Sequence, residues 1–128
     1  MPEFIAQPDG LAPANGFSHV VRAAGTSVFV SGQVPVRADG STVPPDDVEA
    51  QCEQVFANLE AALAAAGASW SDVVKLTFYL TDTADLPAVR RVRDRHVVPD
   101  RLPASSAVQV AALVNPDFRI EVDAIAVV

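Results

Sequence analysis

The longest periodic pattern in the chain starts at Val48. Val48, Cys52, Val55, Phe56, Leu59, Ala62, Leu63 and Ala66 recur at three- and four-residue spacing. This predicts a helix of about 20 residues with one apolar stripe. Asp46 followed by Glu49 resembles a capping box, and Gly67 fits the position just past the helix end. A helix with one apolar stripe must cover something flat, most simply a sheet. Val73 to Leu80 has a different period. Val74, Leu76, Phe78 and Leu80 alternate with Val73, Lys75, Thr77 and Tyr79, which predicts a strand. A second helix begins near Asp85 with Pro87 in its first turn, and Leu86, Val89, Val92 and His96 mark its buried side.

The flanking segments read as strands and loops. His19–Ala23 and Thr26–Gly32 flank Ala24-Gly25 and suggest a hairpin. Residues 1–16 and 35–45 are rich in Pro and Gly and are read as turns and extended chain. Two further β-type runs, Pro103–Ala111 and Phe118–Ala126, close the chain. Helices between strands, each with a single apolar face, predict two helices on one face of a mixed sheet. Val28-Phe29-Val30 and Ala124–Val128 are apolar on both sides, so the opposite face is expected to meet another subunit.

Composition narrows the function classes. The 128 residues fit one domain, 1–128, large enough to bury a core without disulfides or a structural metal. The lone Cys52 cannot form an internal disulfide, and neither a secretory signal nor a membrane-length apolar run is evident; a soluble cytoplasmic protein is expected. The net charge of −7 argues against nucleic acid as a partner, because affinity for phosphates comes from released counterions. Arg90, Arg91, Arg93 and Arg95 do cluster, as a solvated helix face, with one of them facing a site, or, least favoured because no aromatics interleave, as a nucleic-acid patch. His19 and His96 lie far apart, so no metal site is expected, nor any cofactor: phosphate- and dinucleotide-binding glycine patterns are absent from the sequence. Cys52 reads as a core residue, with a nucleophile as the alternative. What remains is a set of polar groups at strand ends: Ser31, Gly32, Ser105, Ser106 and Glu121. Glu121 is either a solvated strand residue or an acid-base group in a cleft.

Several short motifs stand in a specific order: Asn15-Gly16-Phe17-Ser18-His19, Val28-Phe29-Val30-Ser31-Gly32-Gln33, Asp72-Val73-Val74-Lys75, Leu80-Thr81-Asp82, Pro103-Ala104-Ser105-Ser106 and Ile120-Glu121-Val122-Asp123-Ala124. Together they resemble the Rid family (YjgF/YER057c/UK114), over nearly the whole chain. The resemblance implies a chorismate-mutase-like α+β fold with a mixed six-stranded sheet and two helices on one face. It also implies a homotrimer with small-molecule clefts between subunits, and deamination of small imines and enamines such as 2-aminoacrylate.

Carried over residue by residue, the resemblance makes Glu121 the group that positions water. Phe17 becomes an aromatic lid without the usual hydroxyl, and the Gly32 backbone a ligand neighbour. The family arginine that grips a substrate carboxylate is Ser105 here. A charge-assisted hydrogen bond is worth about 1.5–3 kcal/mol, so its loss implies roughly ten- to a hundredfold weaker binding of a small imino acid. The standard 2-iminopropanoate activity is therefore not carried over. Arg90 is a candidate replacement cation. Three readings follow: an arginine-lacking enzyme on another imine, enamine or carbonyl compound; a metabolite-binding protein without turnover; and, least favoured by the charge, an endoribonuclease.

Overall fold

A computed structural model describes residues 2–128. Its strands are β1 (Glu3–Ile5), β2 (Val20–Arg22), β3 (Ser27–Gln33), β4 (Val73–Leu80), β5 (Ala104–Gln109) and β6 (Ile120–Val127); its helices are α1 (Val48–Ala65) and α2 (Leu86–His96). The six strands divide between a four-stranded sheet, in the order β3-β6-β4-β5, and a separate β1–β2 pair. Only β4 and β5 run parallel, as the intervening α2 crossover requires. Both helices pack on one face of the sheet, which agrees with the expected α+β class.

The α1 stripe is the centre of the core. Cys52, Val55, Phe56, Leu59 and Leu63 are fully buried against Leu76, Phe78 and Leu80 of β4 and Ile120, Val122 and Ala124 of β6. The helix end is as expected: Gly67 N–H donates to the Ala64 carbonyl and Ala68 N–H to the Leu63 carbonyl, a Schellman closure. The helix start differs. Asp47, not Asp46, is the N-cap, and its carboxylate accepts from Ala50 N–H at 3.0 Å. Glu49 therefore sits one position too early for a capping box and instead pairs with Arg91 and Arg95 of α2.

Two further expectations are corrected. The proposed hairpin across Ala24-Gly25 does not form, since β2 pairs with β1 and β3 pairs antiparallel with β6. Thr26 and Val128 exchange both backbone hydrogen bonds, at 2.8 and 3.0 Å, so the C-terminal strand takes the partner that local spacing assigned to β2. In β4 a register irregularity between Val73 and Lys75 lets Val73 join the core together with Leu76, Phe78 and Leu80, although strict alternation puts it on the opposite face.

Gln51 is a structural residue that the hydrophobic pattern passed over. It is completely buried on α1 and donates to the Val43 and Asp117 carbonyls at 2.9 and 2.8 Å. Its amide oxygen accepts from Arg119 N–H at 2.9 Å. These bonds tie the helix to the loop before it and to the entrance of β6.

Candidate functional site

Where α2 meets the edge strand β5 there is a cavity of about 120 Å³. Phe17, Phe78, Leu86, Val89 and Ala107 are its apolar lining, and Asn15, Arg90, Arg93 and Ser105 its polar lining. The register explains the position of Ser105. It stands beside Leu76, whose side chain is buried under the helices, so Ser105 faces the helix side as well. Phe17 is brought there by its neighbour: Ser18 N–H donates to the Pro103 carbonyl at 3.1 Å, and Ser18 bridges Ala104 in parallel. The Phe17 ring then leans edge-on against His19, which is held by the Ala12 carbonyl at 2.7 Å.

The other predicted site residues lie elsewhere. Glu121 stands beside Tyr79 on the face away from the helices, where Tyr79 donates to Asp123 at 3.1 Å. The Asp123 carboxylate, by this bond and by its charge, holds the Tyr79 hydroxyl above its ordinary range, and Glu121 adds to the effect. Gly32 lies directly against Glu121: a β-carbon there would overlap Oε2 and come within 2.8 Å of Cδ. Ser31 is exposed on β3, and Ser106 points to the open face, where Lys75 donates to its hydroxyl at 3.0 Å. The chain thus gathers Phe17, Arg90 and Ser105 around one cavity. Gly32 and Glu121 lie against each other on the other face of the sheet.

Arg93 was not singled out from its cluster, yet it lines the cavity. It is only 9% exposed, and its Nε and NH2 pair with Asp94 at 2.9 and 2.8 Å. Its guanidinium fills the space a side chain on Gly16 would need, since a β-carbon there would come within 2.7 Å of Cζ. The signal was present in the spacing: Leu86, Val89, Arg90 and Arg93 share one helical face. Arg119, close to Glu121 in sequence, is committed to Asp85 at 2.5 and 3.1 Å and to the Pro45 carbonyl.

The nucleophile reading of Cys52 fails. Burial pushes its thiol up to about 12, so at neutral pH it stays protonated inside the core. Among the described residues no three His, Cys, Asp or Glu side chains are grouped to hold a metal ion, and no helix is long and apolar enough to cross a membrane.

Residues 7–128 match the family model described as Endoribonuclease L-PSP. A solved structure of the Rid protein YyfB from Yersinia pestis superposes with a TM-score of 0.85 at 32% identity, covering 99% of this chain and 98% of that one. The chain belongs to the Rid family. Protein DfrA of Myxococcus xanthus is 42% identical over 81% of this chain and 78% of its own length. TdcF of Escherichia coli K12, named as a candidate reactive intermediate deaminase, is 37% identical over 80% of each chain. The E. coli TdcF structure with bound serine superposes with a TM-score of 0.72 at 32% identity, covering 98% of both chains.

Proposed function

We propose that this protein is a Rid-type homotrimer whose clefts, each made by two neighbouring copies, take a small imine, enamine or carbonyl metabolite. One observation carries the reading. The sheet separates the Ser105 cavity from Glu121, so both can reach one ligand only if Glu121 comes from a second copy. The cavity alone, about 120 Å³, is smaller than the roughly 300 Å³ at which ordinary ligand pockets begin. The apolar Phe29 on the open face, 76% exposed, suits burial against a neighbour.

In this assembly Glu121 acts as the acid-base group. It takes a proton from water as the oxygen adds to the C=N carbon, and the nitrogen gains a proton. Collapse of the resulting aminol releases ammonia and leaves a carbonyl, so one water is consumed per C=N bond broken. Ser105 and Phe17 position the substrate in the opposite half. Cytoplasmic residence suits a chain whose single thiol is buried.

The expected result of incubating the protein with a panel of enzymatically generated imines is ammonia release. Glu121→Gln should abolish it while native mass spectrometry still records a trimer; retained turnover would remove Glu121 from the mechanism. A second reading, binding without turnover, draws on Ser105, which offers no charge to a substrate carboxylate. Ligand binding without product across the panel would establish it. RNA cleavage lost in Glu121→Ala would instead support the ribonuclease reading, which a net charge of −7 disfavours.

A further inference from the structure

The cavity has a cationic wall on α2, although the protein as a whole is acidic. Every lysine and arginine except Arg90 has an oxygen partner. Arg22, Arg91, Arg93, Arg95 and Arg119 pair with carboxylates, while Arg37, Lys75 and Arg101 donate to hydroxyl or carbonyl oxygens. Arg90 has neither an ion pair nor a hydrogen bond among the described residues, and it lies on the cavity rim beside Arg93. Sixteen acidic residues are present in the chain, and none of them pairs with it.

Arg93 differs in kind. It is held in place by Gly16 on one side and by Asp94 on the other, and Asp94 is itself 62% exposed. Its NH1 has no hydrogen-bond partner among the described residues. Two guanidinium groups and one carboxylate leave the wall with one net positive charge, which a singly charged ligand would neutralise. The volume, about 120 Å³, is several times what a single water needs, which leaves room for a carboxylate and a few carbon atoms.

We propose that Arg90, with Arg93 fixed beside it, is the anion-binding pair of this cleft and selects small monocarboxylates over dicarboxylates and neutral analogues. The cation that β5 lacks at Ser105 is thus supplied from α2. Guanidinium forks suit this role because they meet a carboxylate with two parallel hydrogen bonds, which an ammonium cannot reproduce. The inference rests on the small-molecule reading of the cleft given above, but not on turnover.

The test is calorimetric titration of the assembled full-length protein with pyruvate, malonate and pyruvamide. Pyruvate should bind best, and Arg90→Gln should weaken it at least tenfold while changing pyruvamide less than twofold. Arg90→Lys should recover only part of the loss. Asp94→Asn, at an exposed position, should shift preference toward malonate by adding a positive charge to the wall. Equal binding of pyruvate and pyruvamide, or pyruvate affinity unchanged in Arg90→Gln, would overturn the proposal. Failure here alongside Glu121-dependent ammonia release would remove only the anion pair. Arg90-dependent pyruvate binding without any imine turnover would remove only the catalytic reading.

Discussion

Gly32 of β3 and Glu121 of β6 stand so close that no β-carbon fits between them: one placed on Gly32 would overlap Oε2 and lie 2.8 Å from Cδ of Glu121. The obstructing group is the tip of a flexible side chain, so Gly32→Ala should move the carboxylate rather than unfold the strand. The expected outcome is a melting temperature within about 5 °C of the parent and at least a tenfold fall in kcat/KM for imine turnover. A fully active Gly32→Ala protein would show that the placement of Glu121 against this backbone is immaterial.

Phe29 is exposed on the face that the helices leave bare. Phe29→Lys should leave the far-UV circular dichroism spectrum of the folded chain unchanged, since the side chain it replaces is exposed. If the proposed trimer is right, the variant should sediment as a dissociated chain and lose imine turnover, because the two proposed halves of the cleft would no longer meet. An intact trimer in the variant would locate the interface elsewhere.

Gln51 tests the frame beneath the site. Gln51→Leu removes partners from the Val43 and Asp117 carbonyls and from the Arg119 amide. Only the bond to Val43 is fully buried; one buried group left unsatisfied costs about 1–3 kcal/mol, so the urea midpoint should reflect a loss of about 1 kcal/mol or more. A change below 0.5 kcal/mol, taken as about the effect of a surface substitution, would mean that water replaces these bonds.

Cys52 has a pH consequence with a definite sign. Its folded thiol titrates at about 12 against an ordinary 9.0, with burial the largest cause and the nearby carboxylates of Asp85, Glu49 and Glu53 adding to it. Because the folded value is raised, its contribution to stability is complete below pH 9.0 and is lost as pH rises from there toward about 12. Each pH unit in that window removes up to about 1.4 kcal/mol. Cys52→Ala should show a flatter decline in the urea midpoint between pH 9 and 11. The native thiol should also resist alkylation at pH 8 until denaturant is added.

The helical residues most readable in the sequence were those whose role is local. The α1 stripe from Cys52 to Leu63 and the Gly67 ending follow from a 3.6-residue period and from backbone closure within one turn. The Asp47 cap was missed by one residue because two adjacent aspartates both satisfy the composition of a cap, and only the geometry at Ala50 N–H separates them. The β2–β3 hairpin failed for a different reason: Thr26 is claimed by Val128, about a hundred residues away, a competition that local spacing does not register. Arg93 was legible in principle, since it shares a helical face with Leu86 and Val89, but four arginines in six residues concealed which of them turned inward.

The family scaffold, the two one-sided helices, the strand character of β4 and β6, and the absence of a charged group at position 105 are all present in the order of the amino acids. Each is carried by residue identity or by short-range periodicity. It takes the folded sheet to put Ser105 on the helix side with Phe17, Arg90 and Arg93, and Glu121 on the open face with Gly32. That division depends on the register of β4 against both β5 and β6, set by long-range pairing, in which a one-residue shift exchanges the two faces of a strand.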